Sequence, residues 1–360
     1  MEVAQGMHMK GGDGEESYAN NSIIFQGNVI SSTKLIREEA ITSLYSSTLP
    51  RSLAIADLGC SCGPNTLSVV SEVIHVVENL CKKLNHSSPE YKIYLNDLAG
   101  NDFNSVFRSL DSFKEKLRDE TKTEIDRCYF FGVPGSFYGR VFPDRSLHFV
   151  HSSYSVHWLS KVPEGIENSK GAIYINETSP SNVIKAYYEQ FERDFSVFIK
   201  CRAEEIVEGG RMVLSILGRR GDDPFSKESC DLLDLLATAL NHMVLKGLIE
   251  EDKVNTFNIP NYYPSRSEVK SSILEEGSFA INHVEFSEVD LNNSGESLHD
   301  SGYNVAQTIR AVFEPLMVSH FGEAIIDDVF QRYHEIVVDQ MSREKMQTVY
   351  FTISLTRKAQ

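Results

Sequence analysis

The stretch that most constrains this chain is residues 53–66, LAIADLGCSCGPNT. Leu53 to Ala56 are apolar and read as a short buried strand. Asp57 ends it, and Gly59 and Gly63 break the backbone. Asn65 then opens an apolar run, Leu67, Val70, Val73, Ile74, Val77 and Leu80, at helical spacing. Strand, small-residue turn and helix make the first half of a nucleotide-type βαβ unit. The glycines allow a ligand close to the backbone, because they lack Cβ and tolerate positive φ. The turn has neither G-x-G-x-x-G spacing nor a Walker lysine, so pyrophosphate is a poor candidate ligand. A purely structural corner is the alternative.

Length and charge narrow the classes. A chain of 360 residues buries a large core, as one big α/β domain or one domain plus a cap. Its 35 Lys+Arg against 51 Asp+Glu give a net charge of −16. That argues against a nucleic-acid or anionic-membrane surface, which needs a basic face. A small substrate is not excluded, since a local pocket can be cationic in an acidic protein. Cys60 and Cys62 stand two apart in the turn, but no second pair completes a zinc site, and free thiols in a reducing cytosol are expected. The N-terminus lacks the apolar core of a signal peptide, and no stretch approaches ~20 apolar residues. The expectation is a cytoplasmic protein with a small-molecule partner.

Along the chain, strands and helices alternate. Residues 8–33 are glycine-rich and polar and read as a floppy tail. An amphipathic helix is expected at 35–44, strands at 53–58, 91–96, 128–133, 147–150, 172–176 and 212–217, and helices at 65–83, 103–118 and 181–208. This alternation predicts a parallel sheet covered on both faces. Thereafter helices dominate, at 228–249, 266–275, 304–318 and 322–343, with strands at 279–288 and 349–355. The expected fold class is α/β, a Rossmann-like sheet with a helical cap. Its expected divisions are an N-terminal segment 1–33, a core of 34–220 and 345–360, and a cap of 221–344.

Three constellations stand at predicted strand ends, where open α/β sheets place ligands. Asp57 and Asp97 end the first and second strands, and a carboxylate at the second suits two ribose hydroxyls. Helix capping or surface ion pairing is the alternative for each. In PGSFYGR, Ser136 and Phe137 face the same crevice, Phe137 either stacking on a base or packing in the core. HSSYSVHWLS holds Tyr154, His157 and the only Trp in the chain, Trp158, an aromatic box with polar tips. His157 is alternatively a satisfied core histidine. No serine lies in G-x-S-x-G, so no nucleophile–base set is read. Lys10 by itself is a solvated surface charge.

Taken together, HMKGGDGEESYANNS, ADLGCSCGPNT, YLNDLAGNDFN, GVPGSFYGR, HSSYSVHWLS, FNIPNYYPS and HFGEAI occur in the order of the plant SABATH methyltransferases, which the whole chain resembles. Within that family it is most similar to the salicylate/benzoate carboxyl methyltransferases and to the xanthine N-methyltransferases. The resemblance implies use of S-adenosylmethionine, release of S-adenosylhomocysteine, and a homodimer. It implies that Tyr18 and Ser22 close over the cofactor and that Asp57, Cys60 and Asn65 lie at its amino-acid end. Asp97 would hold the ribose, with Leu98, Ser136 and Phe137 around the adenosine. For the acceptor it implies Lys10, Gln26, Tyr154, His157, Trp158, Leu217, Leu232, Leu233, Tyr262, Ile309 and Val312. Trp158, with His157 beside it, is expected at the reacting carboxylate. A sulfonium methyl is already activated and a carboxylate is ionised at about pH 7, so transfer needs alignment and desolvation rather than a strong base.

The chain also departs from the pattern. Leu233 stands where many carboxyl methyltransferases have Trp, and His157 where salicylate-specific members have Met. The stretch IIFQGNVIS is one residue longer than usual, so either Phe25 or Gln26 fills the family's Gln position. The charged insertion at 112–127 resembles the xanthine branch. Lys10 favours an anionic acceptor, and Tyr154 argues against jasmonate. Some relatives bind magnesium near D-x-F-N, where this chain has Asn255, so a magnesium site is an open point. The reading is O-methylation of a small aromatic carboxylate of salicylate or benzoate type. The alternatives are N-methylation of a xanthine and, on the same fold, a non-catalytic small-ligand binding protein.

Overall fold

Leu53 to Leu58 are almost wholly buried, as the central strand of a sheet covered on both faces must be. The computed structural model describes residues 7–121, 127–224, 227–292 and 297–359. In it β1 (Ser52–Leu58) pairs in parallel with β2 (Glu90–Asp97) on one side and β4 (Leu147–Ser153) on the other. β3 (Cys128–Pro134) lies outside β2. Beyond β4 come β5 (Ile206–Leu217), β7 (Gln347–Arg357) and β6 (Phe279–Asp290), so the order is β3-β2-β1-β4-β5-β7-β6. Only β7 runs antiparallel to its two neighbours. The chain runs outward from β1 through β2 to β3 and then crosses back to β4 on the other side of β1, which opens a crevice at the carboxyl ends of β1 and β4.

Alternation along β1 divides the core. Leu53 and Ile55 pack with α3 (Lys34–Thr48) and α4 (Asn65–Leu84). Ala54, Ala56 and Leu58 face α7 (Ser181–Glu205) and the helices beyond it. α7 presents Val183, Tyr187, Phe191, Phe195 and Phe198, all buried, at helical spacing. α8 (Lys227–Leu245), α9 (Glu251–Thr256), α10 (Arg266–Glu276), α11 (Leu298–Phe321) and α12 (Ile326–Arg343) supply the remaining apolar roof. Ser265 and Glu268 form a capping box at the start of α10, and Gly277 ends it at φ 84°. Among the described residues no helix is long and apolar enough to cross a membrane.

Four expectations need correction. Residues 172–176 form no strand; the place beside β4 is taken by β5, which begins at Ile206 rather than at 212. Ala172 to Ile175 are buried instead under the cap, where the Ile259 N–H donates to Ile173 O at 2.8 Å. The 8–33 segment is no floppy tail. It contains α1 (Tyr18–Asn21) and α2 (Ile23–Ser32) and docks on the strand ends. The helix expected at 103–118 is two, α5 (Phe103–Arg108) and α6 (Leu110–Thr121). Finally, β6 lies within the stretch read as cap, yet it extends the sheet. Part of the charged insertion, residues 122–126, lies outside the described residues.

One buried ion pair positions the loop after β3. Arg202 and Glu205, both fully buried on α7, meet at 2.6 Å. Arg202 donates to Phe137 O and Gly139 O at 3.0 and 2.9 Å, and Glu205 accepts the Val141 and Phe142 N–H groups. Removing one partner leaves a charge in the core, which costs about 3–5 kcal/mol. Arg202→Met is therefore expected to lower the urea-unfolding free energy by about that amount. A loss below about 1 kcal/mol would show that the pair does not hold this loop.

Candidate active site

Two adjoining cavities occupy the crevice. The first lies along β2 and the loop after β3 and is lined by Gly59, Ser61, Asp97, Leu98, Asn101, Ser136 and Phe137, among others. The Asp97 carboxylate already accepts the Ser61 N–H at 2.7 Å and the Leu98 N–H at 2.8 Å. Each oxygen retains lone-pair capacity for another donor. Burial pushes Asp97 up to about 6, against the pull of those two N–H groups. A contiguous recess, lined by Asp57, Cys60, Asn65, Thr66 and His151, continues along β1. There His151 Nδ1 meets Asp57 Oδ1 at 2.7 Å, and Asn65 Nδ2 donates to Ser22 Oγ at 2.8 Å. A carboxylate beside an open base-sized cavity, a phenyl ring and a second buried carboxylate fit a nucleoside carrying an amino acid.

The turn that shapes this site has little freedom. A Cβ on Gly59, at φ 74°, would stand 2.1 Å from Ser155 Oγ. Ser61 is left-handed at φ 54° and is held there by Asp97 and by Asn101 Nδ2, which donates to Ser61 O at 3.0 Å. Tyr154 is left-handed as well, at φ 53°, and its N–H donates to Ser215 O. Left-handed non-glycine residues cluster at functional sites because surrounding contacts must enforce them. Burial raises the Cys60 thiol well above its ordinary value and Cys62 to about 11, so both stay protonated. Among the described residues no group of three or more His, Cys, Asp or Glu could hold a metal ion. Asn255 accepts the Gly171 N–H at 2.8 Å.

The second cavity, about 920 Å³ counting its open mouth, lies under α11. Phe25, Gln26, His157, Leu217, Leu232, Leu233, Ile309 and Val312 line it, so both Phe25 and Gln26 face it. Met9, Tyr18, Tyr154 and Trp158 line both cavities and so mark their junction. None of its described lining residues is Asp, Glu, Lys or Arg. Burial pushes His157 down to about 3 and Tyr18 up to about 12, so neither side chain is charged at neutral pH. The wall therefore recognises ligands through rings and dipoles. His157 packs between Trp158 and Tyr263, with ring centroids 5.7 and 5.9 Å away. Gln26 Nε2 donates to the Tyr18 hydroxyl at 3.4 Å, and its Oε1 accepts from Ser153 Oγ at 3.0 Å.

Two expected acceptor residues stand elsewhere. Lys10 pairs with Glu16 and, at 2.7 Å, with Glu314 on α11. Arg310 joins the same network through Glu16, Glu314 and Asp327. Two carboxylates thus hold the Lys10 ammonium, which is not among the residues lining the cavity. Tyr262 points the other way from the cavity: its hydroxyl donates to Glu268 at 3.0 Å and its ring lies 5.1 Å from Phe191. The stretch is extended, so neighbouring side chains alternate, and Asn261 and Tyr263 line the cavity instead. Met9, Phe313 and the Met346–Val349 segment also line it, beyond the residues the sequence singles out. Nothing in their local sequence separates them from ordinary core residues.

Comparison with known proteins places this geometry. The sequence pattern of the SAM dependent carboxyl methyltransferase family matches residues 4–358. A benzoic acid/salicylic acid carboxyl methyltransferase of Petunia hybrida is 54% identical over 357 residues, covering 99% of each chain. The salicylate carboxymethyltransferase of Clarkia breweri is 54% identical over 368 residues, covering 100% of each. Among solved structures, a loganic acid methyltransferase with S-adenosylhomocysteine bound superposes with a TM-score of 0.85. It is 35% identical and covers 98% of this chain and 99% of that one. With its methyltransferase sheet, its two adjoining cavities and this full-length match, the chain belongs to the S-adenosylmethionine-dependent carboxyl methyltransferase family.

Proposed function

We propose that the enzyme methylates the carboxylate of a small aromatic acid of the salicylate or benzoate type. The observation that carries this is the second cavity: aromatic and aliphatic walls, no charged lining residue among those described, the Gln26 amide in its wall and the Trp158 indole at its junction with the first. Bound S-adenosylmethionine supplies an activated methyl group. Asp97 holds the ribose hydroxyls, Phe137 and Leu98 flank the base, and Tyr18, Ser22, Asp57 and Asn65 surround the amino-acid end. Trp158 and Gln26 hold the acceptor carboxylate by N–H donation, with Tyr154 and His157 as walls. A carboxylate carries no proton at neutral pH, so no base is required. A xanthine N–H must lose one, and His157, at about 3, is a poor proton acceptor. That favours the carboxylate over the xanthine reading.

Two outcomes are expected. With labelled S-adenosylmethionine and a panel of salicylate, benzoate, nicotinate, jasmonate, xanthine and methylxanthines, methyl esters of the aromatic acids should dominate. Trp158→Phe should lower kcat/KM for those acids by about 10–100-fold, the range for losing a hydrogen bond to a charge, while S-adenosylhomocysteine affinity changes far less. Turnover on xanthines alone would overturn the reading.

A further expectation concerns pH. Ribose hydroxyls donate to ionised Asp97, so ligand binding favours the deprotonated form and lowers its pKa. Affinity for S-adenosylhomocysteine should then be level above about pH 7 and weaken as pH falls through about 6. In Asp97→Asn the affinity should be lower and this dependence absent. A wild-type profile that stays flat from about pH 8 to about pH 5 would remove Asp97 from the ribose.

A further inference from the structure

Gln26 is held from two sides. Ser153 Oγ donates to its Oε1 at 3.0 Å, and its Nε2 donates to Tyr18 OH at 3.4 Å. A primary amide nitrogen carries two hydrogens, so one N–H is left for a ligand. Gln26 lines both the acceptor cavity and the recess along β1, whereas Ser153, at the end of β4, lines only the donor side and meets Gln26 there. A glutamine amide has a broad, roughly two-fold terminal torsion. Rotation by half a turn exchanges carbonyl oxygen and N–H. For a neutral ligand that exchange is tolerable; for a carboxylate it replaces attraction with repulsion.

We propose that Ser153 is a positioning residue for the acceptor. By donating into Gln26 Oε1 it keeps that oxygen turned from the acceptor carboxylate and reserves the second amide N–H for it. The proposal rests on the carboxylate reading given above. Tyr18 completes the clamp. Its hydroxyl stays protonated, because burial pushes it up to about 12, and it accepts the other N–H. With both N–H groups engaged, the oxygen is the only amide atom left for Ser153.

The test compares Ser153→Ala, Ser153→Thr, Gln26→Ala and the Ser153→Ala/Gln26→Ala double variant. Steady-state kinetics with benzoate and calorimetric titration with S-adenosylhomocysteine are the readouts. Ser153→Ala should raise the KM for benzoate about 10-fold, the size of a lost charge-assisted hydrogen bond. S-adenosylhomocysteine affinity should stay nearly unchanged, which also reports a folded donor site. Ser153→Thr, which keeps the hydroxyl, should restore most of the KM. In the Gln26→Ala background Ser153→Ala should add nothing. Equal, additive effects in both backgrounds, or parallel loss of S-adenosylhomocysteine binding, would overturn the proposal. A raised KM in Gln26→Ala alone would overturn it while leaving the carboxylate reading intact. An unchanged KM in Gln26→Ala would remove Gln26 from the acceptor site and overturn the Ser153 role with it.

Discussion

Asp97 ties two strand ends into one site. Its Oδ2 accepts the Ser61 N–H, while Asn96 O of the same strand accepts the Gly59 and Cys60 N–H groups at 2.9 and 3.0 Å. The glycine-broken turn after β1 is thus stitched to the end of β2, and its left-handed Ser61 is held against its intrinsic preference. Every later feature depends on that shape. It leaves an open cavity beside a buried carboxylate, and it lets α1 dock, since Gly63 brings the turn within 3.2 Å of Ala19 Cα at the position its Cβ would take.

The N-terminal segment is the second wall of the site. A backbone bond from Lys10 N–H to Ala311 O attaches it to α11, one from Tyr18 N–H to Lys10 O folds it on itself, and the Lys10–Glu16–Arg310–Glu314 charges reinforce the contact. Individually such half-exposed pairs contribute little, and their value lies in the network. The segment carries Met9 and Tyr18 to the junction of the cavities, and Gln26 to the acceptor side. One short piece of chain therefore contributes to the walls of both cavities.

Much of this was legible in the sequence. The β1 turn, the strand-end carboxylates and the aromatic run after β4 are local patterns, and the class of fold follows from strands alternating with helices. What was not legible depends on distant partners. Residues 8–33 have the composition of a tail because their order comes from α11 and Gly63, not from their own propensity. Ala172 to Ile175 have strand-like residues, but sheet membership is decided by which segment reaches the β4 edge. Lys10 by itself reads as a solvated charge and only the family resemblance makes it an anion ligand; its partner Glu314 lies too far along the chain for the local sequence to announce it. Tyr262 and Tyr263 are neighbours with one composition and opposite faces, a parity that only the Trp158–Asn261 bridge settles.

The chemistry that emerges is alignment without a base: an uncharged acceptor wall, a histidine too weak to take a proton, and N–H donors for a carboxylate that has none to lose. Single-turnover methyl transfer to benzoate, compared in H₂O and D₂O across neutral pH, tests this most directly. The expected result is the same rate in both solvents, with no ionisation of the protein governing the chemical step. A clearly slower reaction in D₂O, with a bell-shaped pH profile, would place a proton in flight and contradict it.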